Sequence, residues 1–155
     1  MGNGYKIKCK KCGYDYRAML GVGMLFPSLY EKTVSEIKEG KYGEDYKKFF
    51  EDNPDAAVNC EAVLAVCEQC GNFSTVNDLS LYVPKKSDDA GMNVGYVMAE
   101  ELESDYKKCK SYAHKCFCGG PLKVIDMLDE LSKNAVRCPK CKGEMQLTDD
   151  FMMWD

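Results

Sequence analysis

The sequence predicts a small α+β fold stabilised by metal, built as two β-hairpin modules of which the first carries a helical insertion. Three observations predict it. Eight of the ten cysteines fall into four close pairs, Cys9/Cys12, Cys67/Cys70, Cys116/Cys118 and Cys138/Cys141, each followed by a glycine at once or one residue later. Alternating apolar and polar residues flank the pairs, the pattern of short half-buried strands. A chain of 155 residues that is split into two such modules cannot bury a large core twice, so bound metal must supply what the core does not.

A Cys-x-x-Cys-Gly turn aims two sulfurs at one point while its glycine takes a backbone conformation that a side chain resists. Two such turns facing each other supply four thiolates, so four pairs imply two tetrahedral sites. Joining nearest neighbours along the chain assigns Cys9, Cys12, Cys67 and Cys70 to the first site, and Cys116, Cys118, Cys138 and Cys141 to the second; the mixed alternative pairs Cys9 and Cys12 with one of the later knuckles, but nearest pairs keep each module self-contained. The 19 residues between the last two pairs fit a four-cysteine module. Cys116 and Cys118 enclose one residue instead of two, which leaves His114 open as a substitute ligand. Cys60 and Cys109 are left over and read as small core residues.

The elements follow in order. Tyr5-Lys-Ile-Lys-Cys9 and Tyr14-Asp-Tyr-Arg-Ala-Met19 alternate, which places the first pair at the tip of a hairpin. Ala62-Val-Leu-Ala-Val66 enters the second pair, and Phe73-Ser-Thr-Val76 with Leu79-Ser-Leu-Tyr-Val83 leaves it. The insertion, at about 20–61, opens on the apolar, glycine-rich run 19–27, which suits a loop laid over a core. Ser28-Leu-Tyr-Glu31 has the form of a capping box, with Tyr30, Val34 and Ile37 at helical spacing and Gly40 as a stop. Glu44–Glu51 reads as a second helix, ended by Asn53-Pro54. Closing so long a loop costs roughly 3.5 kcal/mol, against the order of 10–16 kcal/mol that structural zinc supplies in small peptides.

The first module therefore spans 1–84. A charged linker, 85–97, contains a boundary near residue 90. In 98–155 a helix carrying Met98, Leu102, Tyr106 and Cys109 leads into the second module, with acidic residues early and lysines late. Leu122–Ile125, Ala135–Arg137 and Glu144–Leu147 are its strands. The acidic and apolar tail 149–155 docks on the protein itself or on a partner.

Composition restricts function. Formal net charge is −4, and eight thiolates around two dications make it −8. Only Arg17 and Arg137 are arginines, so sequence-specific duplex readout has little to work with. His114 is the sole histidine, no phosphate-binding glycine loop is present, and four thiolates close a zinc shell against substrate. These features argue against an enzyme. No apolar run reaches the roughly 18 residues of a membrane span and no secretory signal precedes the first cysteine, so paired cysteines point to metal in the reducing cytoplasm, not to disulfides.

The four knuckles and their strands resemble zinc ribbons, the rubredoxin-like group of folds, over about 5–19 with 62–83 and again over 112–147. The resemblance implies two structural zinc ions and leaves the reaction or partner open. Tyr5-x-x-x-Cys9-Lys-Lys-Cys12-Gly13-Tyr14-x-Tyr16 is also similar to the first knuckle of rubredoxin itself, which implies iron as the alternative ion at the first site. The resulting expectation is a non-enzymatic zinc protein that acts as an adaptor for an unknown protein partner. Its helical insert, through Phe49 and Phe50, and its tail, through Trp154, are the expected contacts. The alternatives are nucleic-acid binding through Lys8, Lys10 and Lys11, or redox sensing in which oxidation ejects zinc.

Overall fold

The computed structural model describes residues 2–86 and 95–155. In chain order its elements are β1 Gly2–Cys9, β2 Asp15–Leu20, α1 Phe26–Lys38, α2 Glu44–Asp52, β3 Ala57–Val58, β4 Ala62–Cys67, β5 Phe73–Asn77, β6 Leu81–Pro84, α3 Ala99–Asp105, β7 Tyr106–Lys110, β8 Leu122–Ile125, α4 Met127–Ser132 and β9 Met145–Trp154. They gather into two packed units that the chain visits alternately. Met1–Gly23, Ala62–Asn77 and Ala113–Asp155 form one; Met24–Glu61 and Asp78–Tyr112 form the other. This division runs across the expected modules at 1–84 and 98–155. The insertion does leave the first unit, as residues 24–61, but residues 78–112 join it there. The expected boundary near residue 90 lies outside the described residues.

The first unit contains two three-stranded antiparallel sheets, in the orders β2-β1-β9 and β5-β4-β8. In each, a hairpin in the first half of the chain accepts a third strand from the last third. The hairpins follow from alternation: Ile7, Cys9 and Ala18 turn inward while Lys8 and Arg17 stay exposed. Ile7, Cys9, Ala18, Leu64, Phe73, Met127, Val136, Cys138 and Met145 form a single core, so the two sheets are packed together instead of being separate modules. Tyr16 joins them, its ring 5.5 Å from that of Phe73 and its hydroxyl 3.1 Å from Thr75 Oγ1. Helix α4 starts where the Asp126 carboxylate accepts the Asp129 amide, and it buries Met127 in that core.

The tail is part of a sheet. β9 runs antiparallel to β1 from Cys9↔Met145 to Gly2↔Trp154, with a bulge between Tyr5↔Phe151 and Ile7↔Leu147. The Trp154 indole donates to the Leu20 carbonyl at 3.2 Å.

The second unit holds α1, α2, α3 and the sheet β3-β6-β7. Helix α1 begins two residues before the expected capping box. Leu25 is its N-cap and makes no side-chain bond, and Pro27 in the first turn supplies the preset φ. Ser28 is therefore inside the helix, and the buried stripe is Phe26, Tyr30, Thr33 and Ile37. Helix α2 buries Tyr46 and Phe50, and the Tyr46 hydroxyl donates to the Leu79 carbonyl at 2.9 Å. Cys60 is buried as expected, and burial pushes its thiol up to about 11. Cys109 is exposed instead. The helix expected to run from Met98 past Cys109 stops at Asp105, because Tyr106–Lys110 pairs with the edge of β6. Strand pairing satisfies those backbone groups equally well, and only Leu102 of the supposed apolar face is buried in α3.

Candidate metal centres

Two groups of four cysteines converge in the first unit, and each could hold one metal ion. Cys9, Cys12, Cys138 and Cys141 form the outer group; Cys67, Cys70, Cys116 and Cys118 form the inner one. Within each group all the sulfurs lie within 4.8 Å of one another. Cys9–Cys141 and Cys67–Cys118 are 3.5 Å apart, and Cys12–Cys138 and Cys70–Cys116 are 3.6 Å apart. Metal–sulfur bonds of about 2.3 Å in a tetrahedron set sulfurs roughly 3.8 Å apart, so the quartets are close to the required size.

All eight expected cysteines are in these groups, but the expected pairing is corrected. The first pair meets the fourth and the second meets the third, so the inner site is nested inside the outer one. The cause is sheet pairing over long range. β9 lies against β1 and carries the knuckle at Cys138/Cys141 to the end of the first hairpin, while β8 lies against β4 and carries Cys116/Cys118 to the end of the second. His114 is buried but belongs to neither quartet.

The two sites repeat one another at matching positions. Cys9 pairs with Met145, four residues beyond Cys141, and Cys67 pairs with Leu122, four beyond Cys118. The Lys10 amide donates to the Glu144 carbonyl and the Glu68 amide to the Pro121 carbonyl, both at 3.0 Å. The residue after each second cysteine is left-handed: φ is +76° at Gly13 and Gly71, +84° at Gly119 and +64° at Lys142. Lysine thus stands where the other three knuckles have glycine. One residue further on, the need is for space. A Cβ on Gly120 would sit 3.0 Å from Cys67 Sγ, and one on Gly143 would sit 3.1 Å from Cys9 Sγ. That shared glycine, two residues after Cys118 and Cys141, marks the third and fourth pairs as one kind of knuckle, and each site takes one knuckle of each kind.

Backbone amides favour the thiolate form. The Cys12 amide, donating to Cys9 Sγ, holds that thiol down at about 6, and the Cys70 amide does the same for Cys67. Cys12 and Cys118 move the other way. Amides of Tyr14 and Gly120 lower them, but desolvation and the neighbouring sulfurs prevail and hold them at about 11 and about 12. Four sulfurs this close cannot all ionise without a cation among them. Cys12 and Cys118 are also the exposed members of their quartets, whereas Cys9, Cys67 and Cys138 are buried.

The other expected functional residues are dispersed. Lys10 is ion-paired with Glu144 at 3.1 Å, while Lys8 and Lys11 are exposed. Phe50 is buried in its own unit, and Phe49 and Trp154 are half-buried. Phe117, which no pattern in the sequence marks, is fully exposed between two cysteines of the inner quartet at the tip of its knuckle. Among the described residues no helix is long and apolar enough to cross a membrane. No family model matches the chain, and comparison with curated proteins and with solved structures gives no match to either.

Proposed function

We propose that this chain is a non-enzymatic binding protein in which two nested modules of zinc-ribbon type are held by structural zinc. The observation that carries the reading is the repeated quartet: two sets of four sulfurs, closed at equivalent positions by equivalent backbone bonds. Four thiolates leave a zinc ion no open coordination position, which favours a structural role over a catalytic one. The core of the first unit includes Cys9 and Cys138, so metal binding and folding of that unit are one process. A rigid scaffold of this kind, with exposed apolar side chains on its surface, suits an adaptor for a protein partner.

Metal analysis with native mass measurement is the test. Two zinc ions per chain are expected, together with loss of the β-sheet signal in strong chelator. Visible absorbance from bound iron would replace zinc in the reading. Protein devoid of metal, with a fold unaffected by chelator, would overturn it.

Zinc uptake is expected to release protons. At pH 7.5, above the values of about 6 for Cys9 and Cys67, these two are already thiolates. Cys12 and Cys118, at about 11 and about 12, are still protonated and must each give up a proton to bind. Apparent affinity should therefore rise with pH between 7 and 8, and fall further below 6 as Cys9 and Cys67 protonate in their turn. Titration calorimetry in two buffers of different ionisation enthalpy measures the release; uptake of zinc with no proton release would contradict it.

A further inference from the structure

We infer that the outer edge of β9 docks an extended segment of a partner protein, apolar in its middle and flanked by lysine or arginine. This rests on the reading of the chain as a binding protein and adds the kind of partner. Among the described residues β9 pairs with no strand but β1, and beyond Met145, whose amide donates to the Val136 carbonyl, its other edge presents unpaired backbone N–H and C=O groups, the template for strand addition. The strand is ten residues long. Its final run, Phe151-Met-Met-Trp154, is apolar, and Phe151, Met152 and Met153 are 54%, 41% and 62% exposed.

Two other edge strands are protected where β9 is not. β7 carries Lys107, Lys108 and Lys110 along its length, and β8 has four residues. The bulge in β9 confines the protection there to its middle, where Thr148 Oγ1 donates to the Lys6 carbonyl and accepts the Asp150 amide. Beyond that bulge the pairing with β1 is regular from Phe151 to Trp154, and the Phe151 ring rests 5.5 Å from Tyr5.

Charge selects the occupant. Asp150 is occupied by Arg17 at 2.7 Å and Lys6 at 4.0 Å, but Asp149 and Asp155, on either side of the apolar run, make no ion pair among the described residues. A second copy of β9 laid antiparallel, with Phe151 opposite Met153, would bring Asp149, at the bulge, near Asp155 of the other copy at both ends. Like charges directly opposed across a ladder are destabilising, whereas cations there are favourable. The same edge that rejects its own copy therefore accepts a basic-flanked strand.

Trp154, the only tryptophan in the chain, sits on this strand and reports on it. Zinc-loaded protein at low salt is titrated with the peptide Lys-Thr-Val-Thr-Val-Thr-Lys, its glutamate-flanked counterpart, and the lysine peptide with every inner amide N-methylated. The lysine peptide is expected to shift the Trp154 emission and to saturate at roughly tenfold lower concentration than the glutamate peptide. The N-methylated peptide, unable to extend the ladder, should give no response, and D149K with D155K should reverse the charge preference. Equal binding of the charged peptides, binding of the N-methylated one, no binding at all, or self-association without a peptide response would each overturn the inference. Metal content is read on the same sample: two ions retained with no docking refutes the edge and leaves the zinc scaffold standing, whereas absent metal refutes the scaffold.

Discussion

Serine substitution of Cys9 together with Cys138 is expected to leave one metal ion per chain, whereas Cys9 together with Cys67 is expected to leave none. The first combination removes two ligands from the outer quartet and spares the inner one; the second damages both. Structural zinc supplies on the order of 10–16 kcal/mol to small folds, more than the roughly 5–15 kcal/mol net stability of an ordinary domain, so the loss of a site is a large effect. Because the outer quartet contributes Cys9 and Cys138 to the core, the one-metal variant should also unfold at lower denaturant than the parent. Native mass spectra of the two variants decide the matter. The opposite result, no metal in the first variant and one in the second, would restore pairing between neighbours in the sequence.

Truncating Ile7 to alanine should cost about 2–5 kcal/mol, while Leu147→Ala should cost well under half of that. These residues face each other across β1 and β9, yet Ile7 is 0% exposed and Leu147 is 44% exposed. Ile7 lies on the central strand of the sheet that unites the outer site, in the core that also holds Cys9, Cys138 and Leu64. Removing its branched side chain leaves a cavity between strands that must stay in register for the quartet to close, so a smaller affinity for metal at the outer site should accompany the lost stability. Denaturant unfolding of zinc-loaded variants, followed with a zinc indicator, measures both. Equal costs at the two positions would mean that Leu147 contributes more to the core than its exposed surface suggests.

Local features were readable from the chain alone. Ligand type and knuckle shape depend on a few consecutive residues, so Cys9-Lys-Lys-Cys12-Gly13 and Cys67-Glu-Gln-Cys70-Gly71 were recognised as knuckles at hairpin tips, and both glycines have the left-handed φ that this requires. Helices α1 and α2 were readable from their periodicity. Errors arose where a local signal had a competitor. Ser28-Leu-Tyr-Glu31 spells a capping box, but Pro27 had already started the helix. Tyr106–Lys110 continues a helical spacing, but β6 offers it a ladder. The sequence reading did not anticipate α4, which is only six residues long and lies between two metal knuckles.

By itself, the amino-acid sequence determined which eight sulfurs would gather, how each pair would be presented, and that two quartets would result. Which pairs share a quartet was decided only by the tertiary structure. Loop closure is a weak guide to that choice, since doubling the length of a loop costs only about 0.6 kcal/mol; reaching Cys138 from Cys12 is little harder than reaching Cys67. Pairing of β9 with β1 and of β8 with β4, together with burial of Ile7, Leu64 and Met145 in one core, involves many backbone bonds and much apolar surface, and outweighs so small a difference.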